Sequence, residues 1–461
     1  MKKFDVSETS LFFRFLRLFT KIEACEIPVT LLLTINIFFL LVAYYIIKPV
    51  RDALILTGMG PEVRTYLAGG QVILLIFIVK IYVRLACKIP RHKLIARTTL
   101  FFMSNLLIFY ALALMNVPME TLGILFFIWV GIFNLLVVAQ FWAFANDIYT
   151  QDEGKRLFPI IAFGATFGAF AGSKIAGWLM APLGVYQMLL FAGGILGLCV
   201  LLSLFIHQIE IKKSWTKVVE ISSYCAIEDL IHSQPLKKGG AFNLVFKKQY
   251  LLYIAILIFI LNLVNTNGEY ILAKVVTHSA SELFGGSSSG GLEMTQWIGK
   301  FYADFYLAVS LASMLIQLFL VSRIFKWIGI RGALLVLPII AFSGYLFISL
   351  GASLLLVKWV KIMENGTDYS LMNTARHALF LFTSREAKYK AMATIGTFFW
   401  RSGDVTSALI VFLGTTYFTF NVESFALFNV IMVGIWIVFS FLVIKEQKKL
   451  TPDALPLAEK A

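Results

Sequence analysis

Long apolar runs recur along the chain, and most of the charged residues fall between them. The runs have the length of about 20 residues that a membrane-spanning helix needs, and they lack the alternation of a membrane β-strand. The pattern predicts an all-α integral membrane protein with twelve transmembrane helices. The predicted spans are residues 29–57, 65–83, 95–115, 120–146, 157–180, 185–206, 250–274, 297–322, 330–350, 353–380, 391–415 and 421–444.

The charges of the loops support this count of spans. Lys and Arg concentrate after the even-numbered spans, as at Arg84, Lys155 and Arg323, whereas the loops after odd-numbered spans contain none except Arg64. Cytoplasmic loops of membrane proteins favour Lys and Arg. We therefore expect both termini in the cytoplasm and the chain in a bacterial inner membrane.

A long basic segment divides the predicted spans into six and six, a layout typical of major-facilitator-like transporters with pseudo-symmetric halves. The predicted parts are a cytoplasmic lead-in (1–28), an N-terminal six-helix bundle (29–207), a cytoplasmic linker (208–249), a C-terminal six-helix bundle (250–444) and a cytoplasmic tail (445–461).

A weak internal repeat also supports two related halves. FANDIYTQDEGKRLFPIIAFG at 144–164 resembles HALFLFTSREAKYKAMATIG at 377–396, and VRDALIL at 50–56 resembles NGEYILA at 267–273. The second match makes Asp52 of span one the counterpart of Glu269 of span seven.

The composition agrees with a membrane protein and excludes several activities. The 461 residues are 59% hydrophobic, against about 45–50% in soluble proteins. Basic loops are the first explanation for the net charge of +14, so we expect no nucleic-acid partner. The four cysteines are scattered and are expected to be unpaired. The sequence has no GxxxxGK[ST] or HExxH motif, so we expect no enzyme activity, no metal site and no cofactor.

Charged residues inside the predicted spans form the candidate site. An ionisable side chain at membrane depth costs about 2.5–3.5 kcal/mol on insertion scales, so such residues usually line a polar cavity. In span ten several of them share one face of a helix. The candidate substrate-binding residues are Lys48, Arg51, Lys174, Asn265, Glu269, Lys361, Asn365, Asp368 and Arg376. The candidate gating or charge-pair residues are Asp52, Asp147, Glu364, Arg401 and Asp404.

Structural alternatives stand beside these assignments. Pro49 predicts a broken helix that presents Lys48 and Arg51 to an anion, or else these charges mark the outer end of a shorter helix. Asn265 either contacts substrate or forms an interhelical hydrogen bond. Arg401 and Asp404, three residues apart, pair with each other in the structural interpretation.

A glycine stripe in span five has a structural interpretation as well. Gly164, Gly168 and Gly172 recur every four residues. This spacing favours a face for close helix packing rather than a ligand contact.

Four stretches resemble the bacterial and plastid ATP/ADP translocases. They are KPVRDALILTGMGPE (48–62), QFWAFANDIYTQDEGKRLFPIIAFGATFG (140–168), ILNLVNTNGEYILAK (260–274) and residues 361–404. The resemblance implies a twelve-span carrier that exchanges nucleotides without hydrolysing them, with functional roles for Arg51, Asp147 and Arg376. The chain departs from those exchangers at Asn265, where they tend to have Glu, and at Asn373–His377 in place of their DPTKE-like segment.

We therefore expect a secondary transporter of a nucleotide or a related phosphorylated or anionic metabolite, with ATP/ADP-type exchange by alternating access. The planar forks of arginine match phosphate and carboxylate oxygens. The alternatives are a proton-coupled carrier of another anionic or lipid-like substrate, and a non-transporting scaffold or sensor on the same fold. The expected partners are the small anion and membrane lipids, and the sequence leaves the oligomeric state open.

Overall fold

The computed structural model describes residues 26–86, 91–149, 151–218, 241–285, 291–380, 383 and 391–450, and nearly all of them are helical. The first helices are α1 (Ile27–Gly58), α2 (Gly60–Ala86), α3 (Arg91–Leu114), α4 (Met119–Ile148) and α5 (Gln151–Val218). They are followed by α6 (Ala241–Lys247), α7 (Gln249–Phe284), α8 (Gly291–Leu315), α9 (Val321–Leu350), α10 (Leu354–Thr367), α11 (Asn373–Leu379), α12 (Met392–Thr394), α13 (Trp400–Thr416) and α14 (Val422–Leu450).

Three π-helical turns interrupt the apolar helices of the C-terminal part. They are π1 (Ile316–Leu320), π2 (Asp368–Met372) and π3 (Ile395–Phe399). Each lies directly between two α-helices, with no non-helical residue on either side. Single π-turns inside α-helices occur frequently at functional sites.

Eight helices among the described residues are long and apolar enough to cross a membrane. Two of these stretches, Arg156–Ile206 and Gly291–Leu350, hold 51 and 60 residues, far more than one crossing requires. Gly184 (φ 78°) and Gly329 (φ 67°) break them with a backbone conformation that favours glycine. Both breaks lie within the short connections that the sequence predicted there.

The helix α1 passes through Pro49 without a break, so both the predicted broken helix and the shorter helix are wrong. The predicted linker is partly helical, since α5 continues to Val218 and α6 forms within it. The helix α14 continues to Leu450, into the predicted tail. Residues 1–25, 219–240 and 451–461 lie outside the described part.

The chain contacts define two compact units. The first comprises the described residues within 1–53, 75–234 and 299–307, and the second comprises those within 54–74, 235–298 and 308–461. Two short segments, 54–74 and 299–307, therefore belong to a different unit from their neighbours along the chain.

The first unit is held together by close packing of α5 on α1 and by stacked aromatic rings. A Cβ at Gly164 would lie 2.6 Å from Thr34 Cγ2, and one at Gly172 would lie 2.7 Å from the Val42 carbonyl oxygen. Such a close approach needs glycine, so the packing interpretation of the stripe is confirmed. The rings of Trp129 and Phe133 stack at a centroid distance of 5.4 Å.

The second unit is organised around α7, which packs against α10, α13 and α14. Twenty of its 36 residues are buried, far more than the single apolar stripe of a surface helix. Its buried polar residues, Asn262 and Asn267, form hydrogen bonds with other helices.

Candidate substrate site

The first unit contains a buried ion pair on α1. The carboxylate of Asp52 is fully buried and accepts hydrogen bonds from Arg51, at 2.8 Å from Nη2 to Oδ1. Tyr306 donates a further hydrogen bond at 2.6 Å to Oδ2. The Arg51 guanidinium also lies 5.0 Å from the ring centroid of Phe127, an attractive cation–π arrangement.

Lys48 lies one turn before Asp52 and contacts the same tyrosine. Its Nζ is 3.8 Å from the ring centroid of Tyr306 and 5.3 Å from that of Tyr45. We call Lys48, Arg51, Asp52 and Tyr306 the Arg51 cluster. The sequence predicted its three charged members, but it did not identify Tyr306, which lies in the predicted span eight.

Lys174 lies apart from the contacts of the Arg51 cluster. Its Nζ is 5.0 Å from the ring centroid of Trp178, one turn further along α5. Gly177, on the same stretch of α5, lies beside Asp304 of α8, whose Oδ1 is 3.1 Å from the position that a Cβ would take. Asp304 is exposed, and an acid within the apolar run FYADFYLA was the signal that would have identified it.

The second unit contains a larger cluster around Lys361, a lysine with no exposed surface. Its Nζ donates to Asn265 Oδ1 at 2.9 Å and to Glu364 Oε2 at 3.0 Å. Tyr345 of α9 donates to the same Glu364 oxygen at 2.7 Å. The predicted common face of span ten is therefore present for Lys361 and Glu364, and Asn265 forms an interhelical hydrogen bond.

Glu269 joins this cluster through two helices. Its Oε1 accepts a hydrogen bond from Asn365 at 3.0 Å and lies 3.8 Å from Lys361 Nζ. Its Oε2 lies 3.5 Å from Arg64 Nη2 of α2. Arg64 had appeared in the sequence as the exception to the loop-charge pattern, and the structure explains its position, because it neutralises a carboxylate of α7. We call these residues the Lys361 cluster: Arg64, Asn265, Glu269, Tyr345, Lys361, Glu364 and Asn365.

Gly268 makes the close approach inside the Lys361 cluster possible. A Cβ at this position would overlap the hydroxyl of Tyr345 and lie 3.0 Å from Lys361 Nζ. Any larger residue would displace the hydroxyl that donates to Glu364. The preference for glycine at 268 is therefore a consequence of the cluster itself.

Asp368 and Arg376 form a separate and looser pair that spans π2. Asp368 is 3% exposed, and its Oδ1 lies 3.5 Å from Arg376 Nη2. The same nitrogen donates to Asn373 Oδ1 at 3.4 Å. The Arg376 guanidinium lies 4.6 Å from the ring centroid of Trp400, so this arginine, like Arg51, has both a carboxylate and an aromatic neighbour.

Arg401 and Asp404 take part in a clamp between α7 and α13. Asp404 Oδ2 lies 3.2 Å from Arg401 Nη1. Its Oδ1 accepts hydrogen bonds of 2.8 Å from Asn262 and from Thr266. This arrangement confirms the predicted pairing and favours the structural interpretation of these residues. The remaining candidate, Asp147, lies within α4, but its side chain is outside the described part.

Comparisons with known proteins identify the fold. No protein-family model and no curated protein sequence match this chain. The solved structure of the nucleoside transporter NupG is similar over 91% of this chain and 99% of its own, with a TM-score of 0.62 and 12% sequence identity. A bacterial homologue of the human lysosomal transporter Spinster, in an inward-facing and unoccupied conformation, matches with a TM-score of 0.60, 14% identity and coverages of 93% and 99%. A POT family transporter in complex with 5-aminolevulinic acid matches with a TM-score of 0.55, 14% identity and coverages of 92% and 96%.

These similarities show a major-facilitator-like fold. Together with the eight apolar helices, they show an integral multi-pass membrane protein.

Proposed function

We propose that this protein is a secondary transporter of a small organic anion, with nucleotides as the first candidates. The observation that carries the proposal is a matched pair of arginines, Arg51 in the first unit and Arg376 in the second. Each lies on a membrane-type helix beside one carboxylate and one aromatic ring. Each keeps a small exposed fraction of its side chain, 14% and 15%.

An anionic substrate is the ligand that this arrangement favours. A guanidinium binds a phosphate or carboxylate through two parallel hydrogen bonds. The adjacent carboxylate balances the arginine while the site is empty, and an anion of the substrate takes its place. The neighbouring ring of Trp400 is partly exposed and offers a flat apolar surface, which suits a substrate with an aromatic base.

The nucleotide assignment also has support from outside the structure. The resemblance to ATP/ADP translocases names Arg51 and Arg376 among the functional residues. The nucleoside transporter NupG has a similar fold. Exchange of ATP for ADP is therefore the first reaction to test, and other phosphorylated metabolites follow.

We also infer twelve spans with both termini at one face of the membrane. The breaks at Gly184 and Gly329 divide two long apolar stretches into two spans each. The predicted spans ten and eleven also form helices, but their charged residues exclude them from the eight helices that are apolar enough to cross a membrane. Within the first unit, Arg156 Nη2 at the start of α5 lies 2.8 Å from Glu26 Oε1, beside the start of α1. Two odd-numbered spans therefore begin at the same face, as the alternation of loop charges requires.

Exchange of labelled nucleotides by purified protein in liposomes tests the proposal. We expect exchange of ATP for ADP, and we expect Arg51→Gln and Arg376→Gln to lower the rate about tenfold or more. One hydrogen bond to a charged group contributes about 1.5–3 kcal/mol, and 1.4 kcal/mol is a factor of ten. Lys449→Gln is the matched control, since Lys449 forms a surface pair with Glu446 at the end of α14.

Two outcomes would contradict the proposal in different ways. Normal exchange by both arginine variants would show that the substrate binds elsewhere. Failure of nucleotides, nucleosides, sugar phosphates and organic acids either to cross the membrane or to stabilise the detergent-solubilised protein would exclude transport of these anions. That result would favour a scaffold or sensor on the same fold.

A further inference from the structure

Asp368 differs from the other buried acids that the structure describes in its lack of hydrogen-bond donors. Neither of its carboxylate oxygens accepts a hydrogen bond from any described residue, although both are buried. By contrast, Asp52 accepts from Arg51 and Tyr306, and Glu364 accepts from Lys361 and Tyr345. The side chain of Asp368 thus relies on one loose charge contact, the 3.5 Å approach of Arg376.

An ionised carboxylate in this position is stable only while Arg376 stays close. Burial of a charge without a partner costs several kcal/mol, and proteins avoid that cost by neutralising the group. A proton is the neutralising ligand that fits here. Within the described residues, no group of three or more His, Cys, Asp or Glu is placed to hold a metal ion, and Arg376 would repel one.

Arg376 itself is poised to leave Asp368. Its contacts with Asp368 and Asn373 are long, at 3.5 Å and 3.4 Å, and its guanidinium rests on the ring of Trp400. A substrate phosphate would offer two shorter hydrogen bonds. Once Arg376 turns to such an anion, Asp368 loses its charge partner and has no described donor to replace it.

We propose that Asp368 is a proton-binding site that couples transport to protons, because it takes up one proton when Arg376 binds the substrate anion. The proton adds to one carboxylate oxygen and gives a neutral carboxylic acid. The coupling is reciprocal, so protonation of Asp368 frees Arg376 and strengthens anion binding by the same factor. This inference rests on the proposed function for its substrate, but its central step, proton uptake on withdrawal of Arg376, can be tested without one.

Among the titratable groups around π2, Asp368 is the acid that fits the proton-binding role. The elements that pack against π2 are α9, α10, α11 and π1. The titratable and charged groups that they bring towards it are Tyr345, Lys361, Glu364, Arg376 and His377, since π1 carries none. Lys361 and Tyr345 both donate hydrogen bonds to Glu364, and His377 is exposed.

The Arg51 cluster provides a matched control in the same protein. If Arg51 turns to a substrate anion, Asp52 keeps the 2.6 Å hydrogen bond from Tyr306. Asp368 has no corresponding hydroxyl among the described residues. We therefore expect transport to depend on protons through Asp368 and not through Asp52, although each acid lies beside one arginine.

Uptake of labelled ATP into liposomes, with and without an inside-alkaline gradient of one pH unit, measures the coupling. The readout is the ratio of the two rates or accumulations within each variant. One proton per anion drives about tenfold accumulation at most, since one pH unit corresponds to about 1.4 kcal/mol. We expect a ratio of several-fold for the wild type and for Asp52→Asn, a ratio near one for Asp368→Asn, and recovery in Asp368→Glu. A wild-type ratio near one, or an unchanged ratio in Asp368→Asn, would overturn the proposal.

Thermal unfolding of the detergent-solubilised protein tests the same step without substrate. In Arg376→Gln the charge partner of Asp368 is absent, so the melting temperature should fall relative to wild type as the pH rises from 5 to 8. The double variant with Asp368→Asn should follow the wild type across that range. Parallel curves for wild type and Arg376→Gln would overturn the proton site, even if ATP is exchanged. If no nucleotide crosses the membrane but the predicted pH dependence is present, the proposed function fails and the proton site stands.

Discussion

At the scale of single residues, the decisive contacts join charges from distant parts of the chain. Helical periodicity placed Lys361, Glu364 and Asn365 on one face, and the structure confirms that these three lie in one cluster. Helical periodicity could not identify Arg64 as a member of the cluster, because periodicity describes one helix and does not say which helices are neighbours. The available signal was an arginine in a class of loops otherwise without basic residues.

The contact between Arg64 and Glu269 leads to a prediction about stability. Glu269→Gln removes the carboxylate that lies 3.5 Å from Arg64, and Arg64→Gln removes one of the cations beside Glu269, so each should destabilise the protein. Removal of one partner of a buried pair costs about 3–5 kcal/mol, with a smaller value here because both side chains are partly exposed, at 10% and 19%. The double variant should recover part of the loss, since neighbouring sites couple by about 0.5–3 kcal/mol.

Thermal unfolding of the four proteins in detergent measures this coupling. The surface pair of Glu446 and Lys449 is the control, since exposed pairs contribute about 0–1 kcal/mol. Losses that simply add in the Arg64 and Glu269 double variant would contradict the contact.

At the scale of elements, apolar runs and loop charges predicted the positions of the long helices, but they did not predict the local irregularities within those helices. The three π-turns are examples. They depend on packing around a helix rather than on its own composition, and DYSLM at Asp368–Met372 carries no local signal for one. Hydrophobic periodicity also did not predict that α5 continues into the linker as far as Val218, because a polar, charged stretch has no apolar period.

The close packing of α5 on α1 predicts the effect of a larger residue at Gly168. A side chain there would meet the backbone of Phe38, which cannot move without the helix. We expect Gly168→Leu to destabilise the protein by about 1–3 kcal/mol or more. Gly194→Leu on the second half of α5 is the control, since no described atom lies within 4 Å of its Cβ position. Equal melting temperatures for the two variants would show that α1 and α5 do not pack in this way.

At the scale of the whole molecule, composition and hydropathy were enough to predict a polytopic helical membrane protein. Weak internal repeats predicted two related halves, with Asp52 and Glu269 as counterparts, and the halves stay a prediction. The structure shows that these two acids lie in charged clusters of different units. The sequence did not predict that segments 54–74 and 299–307 belong to a different unit from their neighbours along the chain. That assignment depends on how the helices pack, and neither hydropathy nor charge contains this information.

The position of Arg64 has a consequence for biosynthesis. Ribosomes add about 5–20 residues per second, and Glu269 follows Arg64 by 205 residues. The arginine therefore enters the membrane roughly 10–40 s before its carboxylate exists. An N-terminal fragment that ends at residue 230 should lack this contact permanently. In a pulse–chase experiment we expect Arg64→Gln to lengthen the lifetime of that fragment, whereas in the 461-residue chain the same change should shorten it. Equal lifetimes of the two fragments would mean that quality control in the membrane does not detect the loss of this contact.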